Sequence, residues 1–363
     1  MADCRALPLP GKGLIALPAT LCYNGGMTLK AVLVGAGGMG RNWGGNLNAH
    51  PDVEIAGWVD LRPGAAAEAA EGLGVSPAYT GEDLGKALAE ARPDFVVDVT
   101  IPEAHHDVTL AALTAGVPVL GEKPMASSIA EARAMVAASE ASGKLYMVSQ
   151  SRRYDARIAA YRALIEGNIG ALGILNSDFY LGAHFGGFRD EMAHVLLLDM
   201  AIHTLDAARF VSGADPVAVY CEEFNPGWSW YQGASSATAL FEMTGGLRYT
   251  YRGSWCAEGK PTSWEADWRA VGPRGTALWD GEGAPTASVV TGKDGFMRDF
   301  ETVTATVEAD APGGIAGSLR DFLNALQTGT TPMGECHDNI KSLAMVFAAI
   351  ESAQTGQRVR VET

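Results

Sequence analysis

The sequence predicts an α/β protein: a doubly wound parallel sheet followed by a region built on an antiparallel sheet. Two observations predict it. From Thr28 to about residue 150, continuous apolar runs alternate with helical stretches, the pattern of strands buried on both faces by crossover helices. Beyond residue 150 the texture changes. One long helix is followed by β-rich segments, and six of the eight Trp residues fall between Trp228 and Trp279. Such large side chains suit a pleated, half-buried surface.

The elements follow in order. Leu29 to Gly35 reads as the first strand and Gly38 to His50 as the first helix. Val53 to Asp60 is a strand and Pro63 to Glu71 a helix. Asp94 to Thr100 is a strand, Ala104 to Ala115 a helix, and Val117 to Glu122 a strand. The Ala-rich stretch Ile129 to Ser142 is a helix, and Leu145 to Gln150 closes the first sheet. A long helix is expected over Glu191 to Val211. Strands are expected at 217–224, 234–243, 247–255, 264–271 and 276–279. Two helices, 318–327 and 338–355, end the chain. This gives a dinucleotide-binding domain over 27–150 and a second α/β domain over 151–363, with a cleft between them.

A chain of 363 residues can bury two cores. The net charge of -15 argues against nucleic acid or an anionic membrane surface as partner. Five scattered cysteines without a CxxC pair read as reduced thiols of a cytoplasmic protein, with no metal site. No apolar run is long enough to span a bilayer. Residues 1–26 read as a loose arm, with Met27 the natural start.

The segment Val34-Gly35-Ala36-Gly37-Gly38-Met39-Gly40 holds a GxGxxG between a strand and a helix. Gly35 permits the tight turn, Gly37 lets a pyrophosphate approach the backbone, and Gly40 lets the helix pack on the strand. Free N–H groups at the helix start, around Gly38 and Met39, suit phosphates. Asp60, at the end of the second strand, is placed to take the ribose hydroxyls and repel a 2′-phosphate. Arg62, two residues on, offers that phosphate a partner. NAD is the expected cofactor, with NADP the alternative.

Three further motifs extend the pattern. They are Thr100-Ile101-Pro102 with His105, Glu122-Lys123-Pro124, and Asp199, His203 and Asp206 within DMAIHTLD. With the glycine fingerprint and the closing SAQTGQRV, their order resembles the Gfo/Idh/MocA family of sugar and cyclitol oxidoreductases. The resemblance covers most of the chain from Met27 onward. It implies a Rossmann domain, then an α/β domain with a large, mostly antiparallel open sheet that joins subunits into a homodimer or homotetramer. It also implies that Lys123, Asp199 and His203 flank the nicotinamide and the substrate, with Thr100, Pro102, His105 and Glu122 on the cofactor side. The Lys–Pro bond is often cis in that family. One departure stands out. Met192-Ala193-His194-Val195 occupies the place of a glycine-rich stretch, so the substrate pocket differs.

The residue types suit the chemistry. Lys123 ends a parallel strand, where ligands bind in open α/β sheets. A lysine in a desolvated cleft has a lowered pKa and can exchange a proton with a hydroxyl. Asp199 and His203 are four apart on one helical face, amid apolar residues that make a buried acid costly without a polar partner. His203 is the expected general base, because its unperturbed pKa lies near working pH. Asp199 would orient it, and Lys123 is the rival base. Arg153 is read equally as a substrate contact or an interdomain ion pair. Trp255 is the aromatic residue chosen to line the substrate, while His194 and His337 are read as structural. The expected reaction is hydride transfer between NAD and a secondary alcohol of a sugar, sugar derivative or cyclitol. Alternatives are glycoside cleavage through transient oxidation by a retained NAD, and a non-catalytic dinucleotide or sugar sensor.

Overall fold

The computed structural model describes residues 28–308 and 312–363. The expected N-terminal arm lies outside them. The first sheet contains β1 (Leu29–Val34), β2 (Val53–Val59), β3 (Tyr79–Gly81), β4 (Phe95–Asp98), β5 (Val119–Gly121) and β6 (Tyr146–Val148). All its strands are parallel, in the order β3-β2-β1-β4-β5-β6. Helices α1 (Gly38–Ala49), α2 (Ala65–Leu73), α3 (Leu84–Ala91), α4 (Pro102–Thr114) and α5 (Ile129–Ser142) connect them. Alternate residues of each strand feed opposite faces. Ala31, Leu33, Phe95 and Val97 join Trp43 and Leu47 on one side, while Val32, Val34 and Val96 meet Leu113 and Met135 on the other.

After α6 (Ala156–Leu164), the second sheet has nine strands in the order β14-β13-β12-β11-β7-β10-β9-β8-β15. They are β7 (Ile174–Tyr180), β8 (Pro216–Phe224), β9 (Ser236–Met243), β10 (Arg248–Ser254), β11 (Asp267–Gly272), β12 (Gly275–Trp279), β13 (Thr286–Val290), β14 (Phe300–Thr304) and β15 (Val359–Arg360). Only β7 and β10 pair in parallel; the other pairings are antiparallel. The expected antiparallel sheet is therefore present, and its centre is β7, a strand outside those expected from the sequence.

The long helix departs from expectation. Phe188–Glu191, here α7, is an isolated turn. The chain winds again only near Leu196, as a widened π turn over Leu196–Ala201 that runs into α8 (Ile202–Ser212). The reason lies in the backbone. The carbonyls of Asp190 and Ala193 accept from the N–H groups of Gln232 and Ala234, each at 2.8 Å, so this segment satisfies its carbonyls across to a neighbouring loop rather than along a helix. The π turn carries Asp199, and such turns are frequent at functional sites.

The final helices are α9 (Gly314–Thr328) and α10 (Cys336–Thr355). Leu319, Phe322 and Leu323 of α9 belong to the core of the first sheet, with Phe322 edge-on to Phe95. The chain thus returns to its first domain after completing most of the second. Helix α10 contributes Leu343 to the first core and Met345 and Val346 to the second. No helix among the described residues is long and apolar enough to cross a membrane.

Candidate active site

The glycine loop turns at Gly35, whose φ is +106°. A side chain there would sit 2.6 Å from the Val99 carbonyl oxygen. One at Gly40 would overlap the Gly35 carbonyl. These two glycines are thus demanded by the protein itself. Gly37 and Gly38 are exposed, and a Cβ on either would meet no protein atom. Gly37 caps α1 without a side-chain hydrogen bond, so backbone donors there face outward with room in front of them. That is the cradle a pyrophosphate requires, and NAD fits it. Met39 is exposed on the same turn.

Asp60 reaches the loop from the end of β2 and accepts the Ala36 N–H at 2.7 Å. Its carboxylate also receives the Arg62 side chain at 2.9 and 3.0 Å. That hydrogen bond holds the Asp60 pKa at about 2. Arg62 is therefore paired with Asp60, with its side chain otherwise exposed. Thr100 and Pro102 follow β4 on the same edge of the sheet. The Thr100 hydroxyl turns back to Asp98 at 2.6 Å, and Pro102 opens α4.

His105 does not face the cofactor side. It is 2% exposed, with Nδ1 2.9 Å from the Pro124 carbonyl oxygen and Nε2 3.1 Å from that of Thr100. Glu122 is also buried and accepts from the Trp43 indole at 2.7 Å. Burial raises its pKa. Both residues support the loops rather than presenting themselves to a ligand.

Lys123 follows β5 and precedes a cis peptide bond to Pro124. Its ammonium spans the domain junction to donate to the Asp199 carbonyl oxygen at 3.3 Å. Around it stand Asp199, His203, Arg152 and Arg189. Burial lowers the Lys123 pKa, and Arg152 and Arg189 push the same way, against Asp199 and Glu122. Burial likewise drives His203 well below its ordinary value, helped by Lys123 and Arg152. Its Nδ1 is buried and without a hydrogen-bond partner. The Asp199 carboxylate does not orient this imidazole. It is held by Arg189 at 2.9 and 3.2 Å.

Two expected substrate contacts lie elsewhere. Arg153 points away from Lys123 into a buried ion pair with Asp206, at 2.6 and 2.7 Å, and reaches Asp338 of α10 at 2.8 Å. Its neighbour Arg152 faces the site instead, paired with Glu265 at 3.1 Å. In a tight 3-10 turn, residues 152 and 153 face different ways. Trp255 is 1% exposed in the second core, edge-on to Phe179, Phe185 and Trp264. Phe185 and Trp264 cover it and are themselves exposed. Sequence reasoning also missed Arg189, whose guanidinium lies over the rings of Phe185 and Phe188. The signal available was the composition of Phe185-Gly186-Gly187-Phe188-Arg189-Asp190, two aromatic residues around a glycine pair followed by an arginine. His194 bonds Glu223 at 2.7 Å. His337 bridges Glu140 and Glu335, and Glu335 caps α10.

Comparison with known proteins agrees with this geometry. Residues 29–150 match the oxidoreductase family with an NAD-binding Rossmann fold, and residues 158–278 match the GFO/IDH/MocA C-terminal domain. A D-apiose dehydrogenase from Paraburkholderia graminis is 27% identical over 361 residues, covering 92% of this chain and 90% of that protein. An inositol 2-dehydrogenase from an Arthrobacter species is 32% identical over 195 residues, 53% of this chain and 56% of its own. The crystal structure of an Agrobacterium radiobacter oxidoreductase in complex with NAD+, L-tartaric acid and magnesium shares the fold. Its TM-score is 0.80 at 24% identity, with 92% of this chain and 99% of that one covered. The chain belongs to the Gfo/Idh/MocA family and is an NAD-dependent dehydrogenase acting on an alcohol group.

Proposed function

We propose that the substrate is a sugar, sugar derivative or cyclitol and that the reacting group is one of its secondary alcohols. The relatives named for D-apiose and inositol support the substrate class. The observation that carries the reading is the meeting of Lys123 with Asp199, His203, Arg152 and Arg189 at the domain junction.

Bound NAD supplies the hydride acceptor, held by the Gly37–Gly38 turn and Asp60. The protein moves the proton. Electrostatics favour Lys123 as the group that takes it, in place of the His203 expected from sequence. A proton arriving on Lys123 makes an ammonium beside Asp199 and Glu122, which offset Arg152 and Arg189, whereas one arriving on His203 makes an imidazolium beside Lys123 and Arg152 with no acid acting on it. Burial keeps Lys123 closer to working pH than a free lysine. His203, kept neutral, binds and orients the substrate hydroxyl. Arg189 and Asp199 form the outer wall, with Phe185 and Trp264 as the exposed aromatic surface. We further propose that Asp60 selects NAD over NADP and that the second sheet joins subunits.

The test is a panel of sugars and cyclitols with NAD and NADP, following absorbance of the reduced nicotinamide, on wild type and two variants. Lys123→Met is expected to lose roughly 10²–10⁴-fold in kcat with little change in NAD affinity. His203→Ala is expected to lose activity mainly through KM and to retain the acidic limb of the pH–rate profile. Near-normal turnover in Lys123→Met, or loss of that limb in His203→Ala, would return the proton to His203.

A further inference from the structure

Three loops leave the same end of the nine-stranded sheet. Tyr180, the last residue of β7, is level with Ser254, the last of β10, because those two strands run parallel. Ser236, the first residue of β9, pairs with Ser254 and also with Phe224, the last of β8. Residues 181–189, 225–235 and 255–266 are therefore neighbours. They carry both exposed tryptophans of the described residues, Trp228 and Trp264, together with the exposed Phe185 and Phe188.

These rings stand on a fixed floor. Phe185 and Trp264 lie edge-on to the buried Trp255 at 5.3 and 5.7 Å, and 6.5 Å from each other. The Trp228 indole donates to the carbonyl oxygen of Cys256, next in sequence to Trp255, at 3.3 Å. The Tyr231 hydroxyl braces the first loop by donating to the Ala183 carbonyl oxygen at 2.6 Å. The surface adjoins the Lys123 site by two routes. Arg189 lies over Phe185 at 4.9 Å and holds Asp199. Glu265, next to Trp264, pairs with Arg152.

The rim is polar. His184 stacks on Trp230 at 3.7 Å and bonds Glu258 at 2.8 Å, and the side chains of His184 and Glu258 are exposed. Aromatic faces edged by hydrogen-bonding groups match a sugar ring, which carries C–H groups on its faces and hydroxyls around its edge. Four part-exposed rings offer on the order of 400 Å². Each partner in a stable protein interface gives roughly 800 Å², so the patch suits a small molecule better than a second copy of the chain.

We propose that the substrate is a glycoside: the ring that is oxidised stands at Lys123 and His203, and a second sugar ring, joined to it through a glycosidic oxygen, stacks on Phe185 and Trp264. The proposal rests on the reading of Lys123 and His203 as the place of sugar oxidation and names what that sugar carries.

The experiment follows NAD reduction by full-length wild type, Trp264→Ala and Trp264→Phe. The probes are glucose, galactose and myo-inositol, against cellobiose, lactose, trehalose and phenyl glucoside. A disaccharide is expected to give the highest kcat/KM. In Trp264→Ala the ratio of disaccharide to free-sugar kcat/KM should fall roughly three- to tenfold, mainly through KM. Trp264→Phe keeps an aromatic face and should retain most of the ratio. A free sugar or cyclitol preferred over every disaccharide overturns the proposal, as does an unchanged ratio in Trp264→Ala. Preference for phenyl glucoside over every disaccharide would put an aryl group on the platform and also overturn it. If no sugar reduces NAD, the reading of Lys123 fails and saturation-transfer NMR on NAD-loaded protein with cellobiose and lactose decides the platform. Transfer to the sugar in wild type that is lost in Trp264→Ala upholds it; transfer equal or absent in both overturns it. Sedimentation of Trp264→Ala as a smaller species than wild type would make the surface a subunit contact and overturn the proposal.

Discussion

Arg189 and Asp199 form a two-pronged ion pair, Nε to Oδ2 at 2.9 Å and Nη2 to Oδ1 at 3.2 Å, at the edge of the Lys123 site. The two partners act on Lys123 with opposite sign. Asp199 raises its pKa and Arg189 lowers it. If the free amine takes the substrate proton, the acidic limb of kcat/KM for oxidation follows the Lys123 pKa. Arg189→Met removes a repelling cation, so that limb should move to higher pH. Asp199→Asn removes an attracting anion, so in its residual activity the limb should move to lower pH. Shifts in the same direction, or none, would show that Lys123 does not govern the profile.

Cofactor choice is proposed to turn on Asp60. Replacing it with Ala removes the anion facing a 2′-phosphate and releases Arg62. A hydrogen bond to a charged group is worth about 1.5–3 kcal/mol, so the NAD-to-NADP ratio of kcat/KM should fall roughly ten- to hundredfold. A wild-type enzyme that already works better with NADP contradicts the assignment.

Two glycines separate protein packing from ligand packing. Gly37→Ala places a methyl where no protein atom stands. It should leave the melting temperature near wild type while weakening NAD binding in a calorimetric titration. Gly40→Ala drives a methyl into the Gly35 carbonyl, so both stability and NAD binding should drop. Equal affinity of wild type and Gly37→Ala for NAD would place the pyrophosphate elsewhere.

Arg152 and Arg153 are adjacent but should fail differently. Arg153→Met strands the buried Asp206 and is expected to cost about 3–5 kcal/mol of stability in denaturant melts. Arg152→Met should lower kcat more than stability, because Arg152 acts on Lys123 and His203. The Arg153 cluster also predicts an acid limit. Burial alone would raise the Asp338 pKa, but Arg153 and Arg209 overcome it and lower it from 3.8 to about 2. Its contribution is present above the unfolded value and is lost as pH falls from 3.8 through about 2. In Arg153→Met the melting temperature should depend less on pH across that window.

The first sheet was legible because buried parallel strands are continuous apolar runs and the glycine spacing is dictated by backbone clashes at Gly35 and Gly40. The short β3 carries too few residues to show a period. β7 did carry one: Leu175, Ser177 and Phe179 are buried and alternate with less buried neighbours. Its polar Asn176, Ser177 and Asp178 hid the pattern. In the site, Lys123, Asp199 and His203 could be picked out by residue type and position. Which of Arg152 and Arg153 turns inward, and that Arg189 takes the Asp199 carboxylate, depend on a tight turn and on a loop shaped by residues 232–234. No local spacing encodes either.

The return of α9 to the first sheet makes the cofactor-binding unit discontinuous along the chain. A fragment ending near residue 150 would leave Phe95 and its neighbours facing water where Phe322 should lie. Such a fragment should be prone to aggregation, even though it contains every strand of its sheet. The same routing means the chain passes between the two domains more than once. Those several covalent crossings leave little freedom for one domain to swing wide of the other.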